Sequence, residues 1–597
     1  MESRQSINPK GPESSFIGGF GILPHQDICC IIYSMIRRTL ILAVFFLLKA
    51  ASPSGALPPA GASDTNSGPA TVLSGDAAPP GGSLWQELKG SVKRSLKPIL
   101  DTIHSPGFSV FEPRTPVLAV LYPFNGTLFP RDMRSPEFSW DGPFPPKGIW
   151  HLRVSFKGST HVIDATSNNT SWTPDAAVWD DIRAHALETR ATFAVSPSAG
   201  MEESGSARIE FMISKDPAGA PIFFRAVPSG KTFPTEEEYV NVKWKIGWLS
   251  SYSPPTTVMK NQRLCFNCHA ASANGKIIGF DYNPTPAYRS SYLFIRNPGK
   301  KLTFSRENTF DWNDYKRGTE LRPFDANASA ISPDGRVIAT CGKALSFIVP
   351  NCTGSIQYTT VTRGIILYRY VDDPVLRALP GGDDENFVHY PNSWSPDGKY
   401  IYFSGMPVSQ EFQERNRARL NKQDKDDTRR LSWKEFDKIY PLRTDVYRIP
   451  FAGGKGGRAE PLKGASANGR SNYFPRASPD GKWVVFVQAD NSMGLIREDS
   501  DLYIIPAAGG PARKLRCNGP RGESWHSWSP NSRWLAFASK SYGPHTDIVL
   551  THINEAGEDS PPVVLTQMRD EGGLSANLPE FFNLRPGQLE EIIQQIQ

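Results

Sequence analysis

The sequence has no long block of Lys or Arg. Its 66 basic and 60 acidic side chains leave a formal charge of +6 over 597 residues. Nucleic acid, which calls for a concentrated positive face, is therefore excluded as a partner. There is no second Cys-x-x-Cys, so a paired-motif zinc site is excluded too. The chain shows no Ser-His-Asp signature, no Walker loop and no Gly-x-Gly-x-x-Gly after a strand. The stretch "AGGKGG" at 452–457 reads as a hairpin turn and not as a phosphate cradle. No apolar run reaches the roughly 20 residues of a comfortable membrane span.

What is present points to a large exported β protein. Hydrophobic residues make up 39% of the chain, and 50 Gly and 52 Pro favour short strands, many turns and linkers. Arg37 and Arg38 precede the apolar run 40–48, and small residues follow it. This order is that of a secretory signal, with Met35 as the expected start and residues 1–51 as extension and signal. Cleavage frees the chain into the periplasm; an uncleaved signal tethers it to the membrane. Residues 52–82, rich in Ala, Pro, Gly and Ser, read as a flexible linker.

Leu84, Leu88, Val92, Leu96, Ile99 and Ile103 recur at helical spacing within 83–109, with Lys89, Lys93, Arg94 and Lys97 opposite. The segment is expected to be a basic amphipathic helix. It either packs on the next domain or, through 83–104, contacts an anionic membrane surface. Residues 110–228 are expected to be all-β, with "WHLRVSF" alternating at the period of a half-buried strand. "SPEFSW" and "SWTPDAAVW" resemble segments of fibronectin type III-like sandwiches. Residues 229–264 read as a connector and 571–597 as a tail.

From residue 265 a repeat emerges: "SANGKIIGFD", "SPDGRVIATC", "SPDGKYIYFSG", "SPDGKWVVFVQ" and "SPNSRWLAFAS". Asp-Gly makes a tight turn, and the alternating strand after it buries one face. One such hairpin is not stable alone, so copies are expected to stack around an axis over 265–570. "SPDGK" with its strand, together with "DLYIIPAAGG" and "DVYRIPFAGG", resembles the WD-like repeat of TolB-type β-propellers. That resemblance implies six blades, of which five are clear. More narrowly, "CFNCHAASANGKIIGFDY" and "SWHSWSPNSRWLAFASK" look like exported bacterial propellers carrying one haem motif.

Cys265, Cys268 and His269 form Cys-x-x-Cys-His, the pattern of covalent haem c attachment with the histidine as proximal iron ligand. His269 stands three residues before the lead serine of its repeat. The TolB-type resemblance implies that this end faces the channel mouth, which would make the haem a solvent-near rim site. Met493 and His526 are the candidate distal ligands, and an open position is the third option. A plain Cys265–Cys268 disulfide competes with haem. Cys341 and Cys352 flank a stretch that a hairpin could close, as a disulfide or as two buried thiols; Cys517 reads as a buried small hydrophobe.

Two functions follow from these residues. The first is a monohaem c-type cytochrome on a TolB-like propeller, passing single electrons to a periplasmic redox partner rather than converting a substrate. The second is a scaffold that binds a periplasmic protein or a glycan, with the haem structural or sensory.

Overall fold

The computed structural model describes residues 118–142, 148–197, 205–228, 240–262, 266–282, 290–318, 324–348, 359–408, 433–439, 441–491, 493–494 and 497–594. The expected signal, linker and amphipathic helix lie outside these residues. So do Cys265 and Cys352.

The repeat motif acts through one serine. In each copy the lead hydroxyl donates to the carboxylate or amide oxygen two residues on, at 2.6–2.7 Å: Ser272 to Asn274, Ser332 to Asp334, Ser395 to Asp397, Ser478 to Asp480 and Ser529 to Asn531. The serine Oγ in turn accepts the backbone N–H five residues on, at 2.9–3.0 Å, from Ile277, Val337, Tyr400, Trp483 and Trp534. Left-handed backbone completes each turn, at Gly275, Gly335, Gly398 and Gly481 and, in the fifth copy, at Ser532. Every repeat therefore sends its second strand back antiparallel to its first.

The strands assemble into small antiparallel sheets in chain order. Sheet II holds Phe266–Ala271, Ile277–Tyr282, Ser291–Arg296 and Thr309–Asp311. Sheet III holds Asp325–Ile331, Val337–Ile348, Thr359–Tyr370 and Asp373–Ala378. A single parallel bridge, Gly364 to Val388, ties it to sheet IV: Phe387–Trp394, Tyr400–Pro407, Asp445–Pro450 and Glu460–Pro461. Sheet V holds Ser471–Ala477, Trp483–Ala489, Asp501–Pro506 and Arg513–Lys514, and sheet VI Glu523–Trp528, Trp534–Ser539, Asp547–His552 and Val563–Val564.

Sheet I is made from both ends of this region. Ser575–Phe581 pairs with Ile222–Val227, which continues to Lys243–Gly247 and Thr256–Met259. The first strand of each sheet packs on the first strand of the next, and Ser575–Phe581 closes the circuit between sheets VI and II. The architecture is propeller-like. The expected boundaries shift accordingly: Ile222–Val227 leaves the preceding module, the connector supplies two strands, and the tail supplies the closing one. The expectation erred because partners so far apart in sequence leave no local pattern.

Ahead of the ring lie two sheets that share one core. One pairs Ala119–Tyr122, Phe138–Asp141 and Ser171–Trp172; the other pairs Thr127–Phe129, Ala207–Ile213, Ala191–Ser196, Trp150–Phe156 and Val162–Ser167. Trp150–Phe156 alternates buried and half-buried as its sequence predicts. Phe138 and Phe193 meet at 4.8 Å between the sheets, beside Trp140 and Trp150. Helix α1, Ala176–His185, starts where Asp175 accepts the Val178 N–H and buries Trp179 and Ile182.

A chain ending at Gly573 is expected to lose the cooperative unfolding transition altogether, because sheet I loses the strand that closes the ring. Far-UV circular dichroism on heating checks this.

Candidate functional site

The described half of the Cys-x-x-Cys-His motif sits on the first strand of sheet II. Each first strand breaks register at an equivalent point: between Phe266 and His269, Asn327 and Ala330, Pro391 and Ser393, Tyr473 and Arg476, Ser524 and His526, and Asn577 and Glu580. Such bulges re-aim side chains. Ala328, Phe474 and Leu578, which match Cys268 in position, take left-handed backbone there. The bulges turn Cys268, Ala328, Phe474, Trp525 and Leu578, with Tyr390, into one buried apolar cluster drawn from all of these first strands.

His269 points the other way. Its Nε2–H donates to the Leu578 carbonyl at 2.9 Å, and Nδ1 is buried without a hydrogen-bond partner. Phe223 meets the ring at 4.6 Å edge to face, with Phe582 and Phe280 beyond, all members of a second core. Burial, aided by the Arg225 charge, holds the imidazole pKa down to about 3, so the ring is neutral. His526 repeats the arrangement in sheet VI: Nε2–H donates to the Val485 carbonyl at 3.0 Å, and burial lowers its pKa to about 3.

These placements correct two expectations. The described part of the motif, Cys268 and His269, is buried and not at a solvent-near rim. Nor does His269 lie where an iron held over Cys268 could meet it. The bulge breaks regular alternation between Phe266 and His269, and Cys268 and His269 enter different cores. In this arrangement the described residues do not fit a haem c with His269 as its ligand. Met493 is buried in the cluster that holds Cys268, while His526 is committed to its own sheet interface. Cys341 is buried beside Gly364. Its expected partner Cys352 lies outside the described residues.

Sequence reasoning missed the charged pair beside this cluster. Arg476 meets Glu580 at 2.6 Å, linking sheets V and I past sheet VI. Trp525 of sheet VI donates Nε1–H to the same carboxylate at 2.8 Å, and the Arg476 guanidinium lies 5.1 Å over its ring. Burial pushes the Glu580 carboxyl up, against the pull of Arg476. No local motif announces this trio, because its members lie about fifty residues apart in sequence.

A second site opens where the two-sheet module meets sheet VI. A cavity of about 460 Å³ is lined by Glu188, Lys215 and Asp216 on one side and Arg533, His552 and Glu555 on the other. Asp216 Oδ2 meets His552 Nε2 at 2.9 Å, and Arg533 meets Glu555 at 2.7 Å. Two bonds clamp the walls together: Trp534 Nε1–H donates to the Asp216 carbonyl, and Asn531 donates to the Pro217 carbonyl. Burial lowers the His552 pKa, and Asp216 opposes the shift. The cavity has the size of a small-ligand site, and it presents donors and acceptors of both charge signs close together.

No protein-family model and no curated protein matches the sequence. Among solved structures the chain is similar to TolB from Acinetobacter baumannii, at 13% identity and a TM-score of 0.37, over 66% of this chain and 79% of that one. It is also similar to a chain of the nidogen/laminin complex, at 9% identity and a TM-score of 0.35, over 61% and 98%. A third likeness is to prolyl oligopeptidase B from Galerina marginata, at 8% identity and a TM-score of 0.32, over 84% and 56%.

His269→Ala is expected to cost about 2–4 kcal/mol of unfolding free energy at pH 7, from the lost hydrogen bond and the void among three phenyl rings. Urea unfolding measures it. The pH response has a definite sign. The folded pKa is depressed to about 3, so the unfolded chain takes up this proton first. The contribution of the neutral ring is full above about pH 6.5 and is lost as pH falls toward 3. Compared with the parent, His269→Gln is expected to lose less stability between pH 6.5 and 4.

Proposed function

We propose that the chain is an exported glycan-binding scaffold, with the cavity between the two-sheet module and sheet VI as its site. Sheets I to VI are read as the six blades of a TolB-like propeller, and the two-sheet module as a fibronectin type III-like sandwich. The observation that carries the reading is the mixed charge of the cavity. Glu188, Asp216 and Glu555 share the lining with Lys215 and Arg533, and His552 is held neutral, so a charged ligand of either sign would meet both attracting and repelling neighbours. An uncharged, hydroxyl-rich ligand uses both kinds of group without that conflict. Leu128 and Met212 supply an apolar floor.

A panel of neutral and acidic oligosaccharides, screened by calorimetry against the full exported chain, tests this. A neutral member is expected to bind, and Arg533→Ala and Glu188→Gln to weaken it about 10-fold each, the worth of one good hydrogen bond. Absence of binding across the panel, or binding unchanged in both variants, overturns the reading.

The second reading is a monohaem c-type cytochrome that passes single electrons to a periplasmic partner. One observation favours it, the spacing of Cys265, Cys268 and His269. It calls for 266–271 to leave the strand conformation in which His269 faces away from Cys268. Intact mass of the chain, exported by a host with working haem-maturation machinery, separates the two. A bare polypeptide removes the cytochrome reading; a covalent haem increment with sharp reduced α and β bands supports electron transfer, and one with a high-spin ferrous form that binds CO supports a scaffold whose haem is sensory.

A further inference from the structure

We infer that His161, Asp181 and His185 form a binding site for a divalent ion of the zinc type on the two-sheet module, away from the cavity. Asp181 and His185 stand one turn apart on α1, so their side chains share a face of the helix. His161 comes from the turn that leads into Val162–Ser167. The Asp181 carboxylate joins them, with Oδ2 at 2.9 Å from His161 Nε2 and Oδ1 at 2.9 Å from His185 Nδ1. One ligand atom from each residue lies within 4.8 Å of the other two.

The surroundings hold the three groups in place. The two imidazoles stack at 4.3 Å, and the buried Phe156 ring packs against both, at 5.7 Å and 5.2 Å. Ser159 Oγ accepts the His161 N–H at 3.0 Å and fixes the turn. Bonds of about 2.0–2.2 Å to a tetrahedral ion would bring the ligand atoms to about 3.5 Å from one another. The two 2.9 Å contacts to Asp181 would open by about 0.6 Å, and any wider separation, which is at most 4.8 Å, would close, so the adjustment is small.

The donor set selects the ion. Two imidazoles and one carboxylate suit Zn²⁺ and its first-row neighbours; Ca²⁺ and Mg²⁺ call for oxygen ligands. Three protein ligands leave a coordination position for water or an incoming group. The side chains are 39–40% exposed, so an ion has a direct approach. Without an ion, half-exposed pairs of this kind contribute little to stability.

The test uses the full exported chain, stripped by a chelator and titrated with Zn²⁺ by calorimetry, with Co²⁺ absorption as a second readout. One equivalent is expected to bind and to raise the unfolding temperature, as a ligand of the native state does. His161→Ala, Asp181→Asn and His185→Ala are each expected to weaken binding by about 100-fold or more and to abolish the thermal shift, with the far-UV spectrum unchanged. The inference fails if the parent binds no stoichiometric Zn²⁺. It fails equally if all three variants bind it as the parent does, which would place the ion elsewhere, for instance on Cys265 and Cys268.

Discussion

The antiparallel pairing of Ser575–Phe581 with Ile222–Val227 is the constraint on which the ring depends. It joins residues 352 positions apart at the Arg225–Asn577 contact. Without it, sheet I has no first strand, and sheets VI and II each lose a neighbour. Closing so long a loop carries an entropic cost that grows only slowly with length. The bonds that meet this cost are long-range in sequence and reach several sheets. Ser527 Oγ accepts the Phe581 N–H, Leu578 accepts from His269, and Glu580 takes both Arg476 and Trp525. One strand is thus fastened to sheets II, V and VI as well as to its own.

Much of this fold was legible in the sequence. The five turns are written within six residues each, because the serine, the acid or amide, and the left-handed residue all act on one another. The alternation of Trp150–Phe156 is a local property for the same reason. Sheet I was not legible. Its first strand is followed by Phe582 where the other repeats have a serine, and its partners lie at the opposite end of the ring region. The short helix α1 was also missed, although Asp175 and the Trp179–Ile182 spacing marked it.

The site was legible in composition and not in direction. Cys-x-x-Cys-His names the right residues for porphyrin chemistry, yet spacing says nothing about which face each side chain takes. On a helix the neighbours Cys268 and His269 could serve one cofactor; on this bulged strand they part company. The opposite failure occurred at His161, Asp181 and His185. Each was an ordinary surface residue in the sequence, and only the packing of α1 against Phe156 brought them within reach of one another. Lys215 and Arg533 likewise become partners in a cavity only because Trp534 and Asn531 dock sheet VI onto the preceding module.

The bulged first strands have a last consequence. By bringing Tyr390, Phe474, Trp525 and Leu578 from four different sheets into one buried apolar cluster, they make those sheets share a single packed core. A volume change at any one of these positions is therefore felt by the sheets on either side of it, as in any close-packed interior.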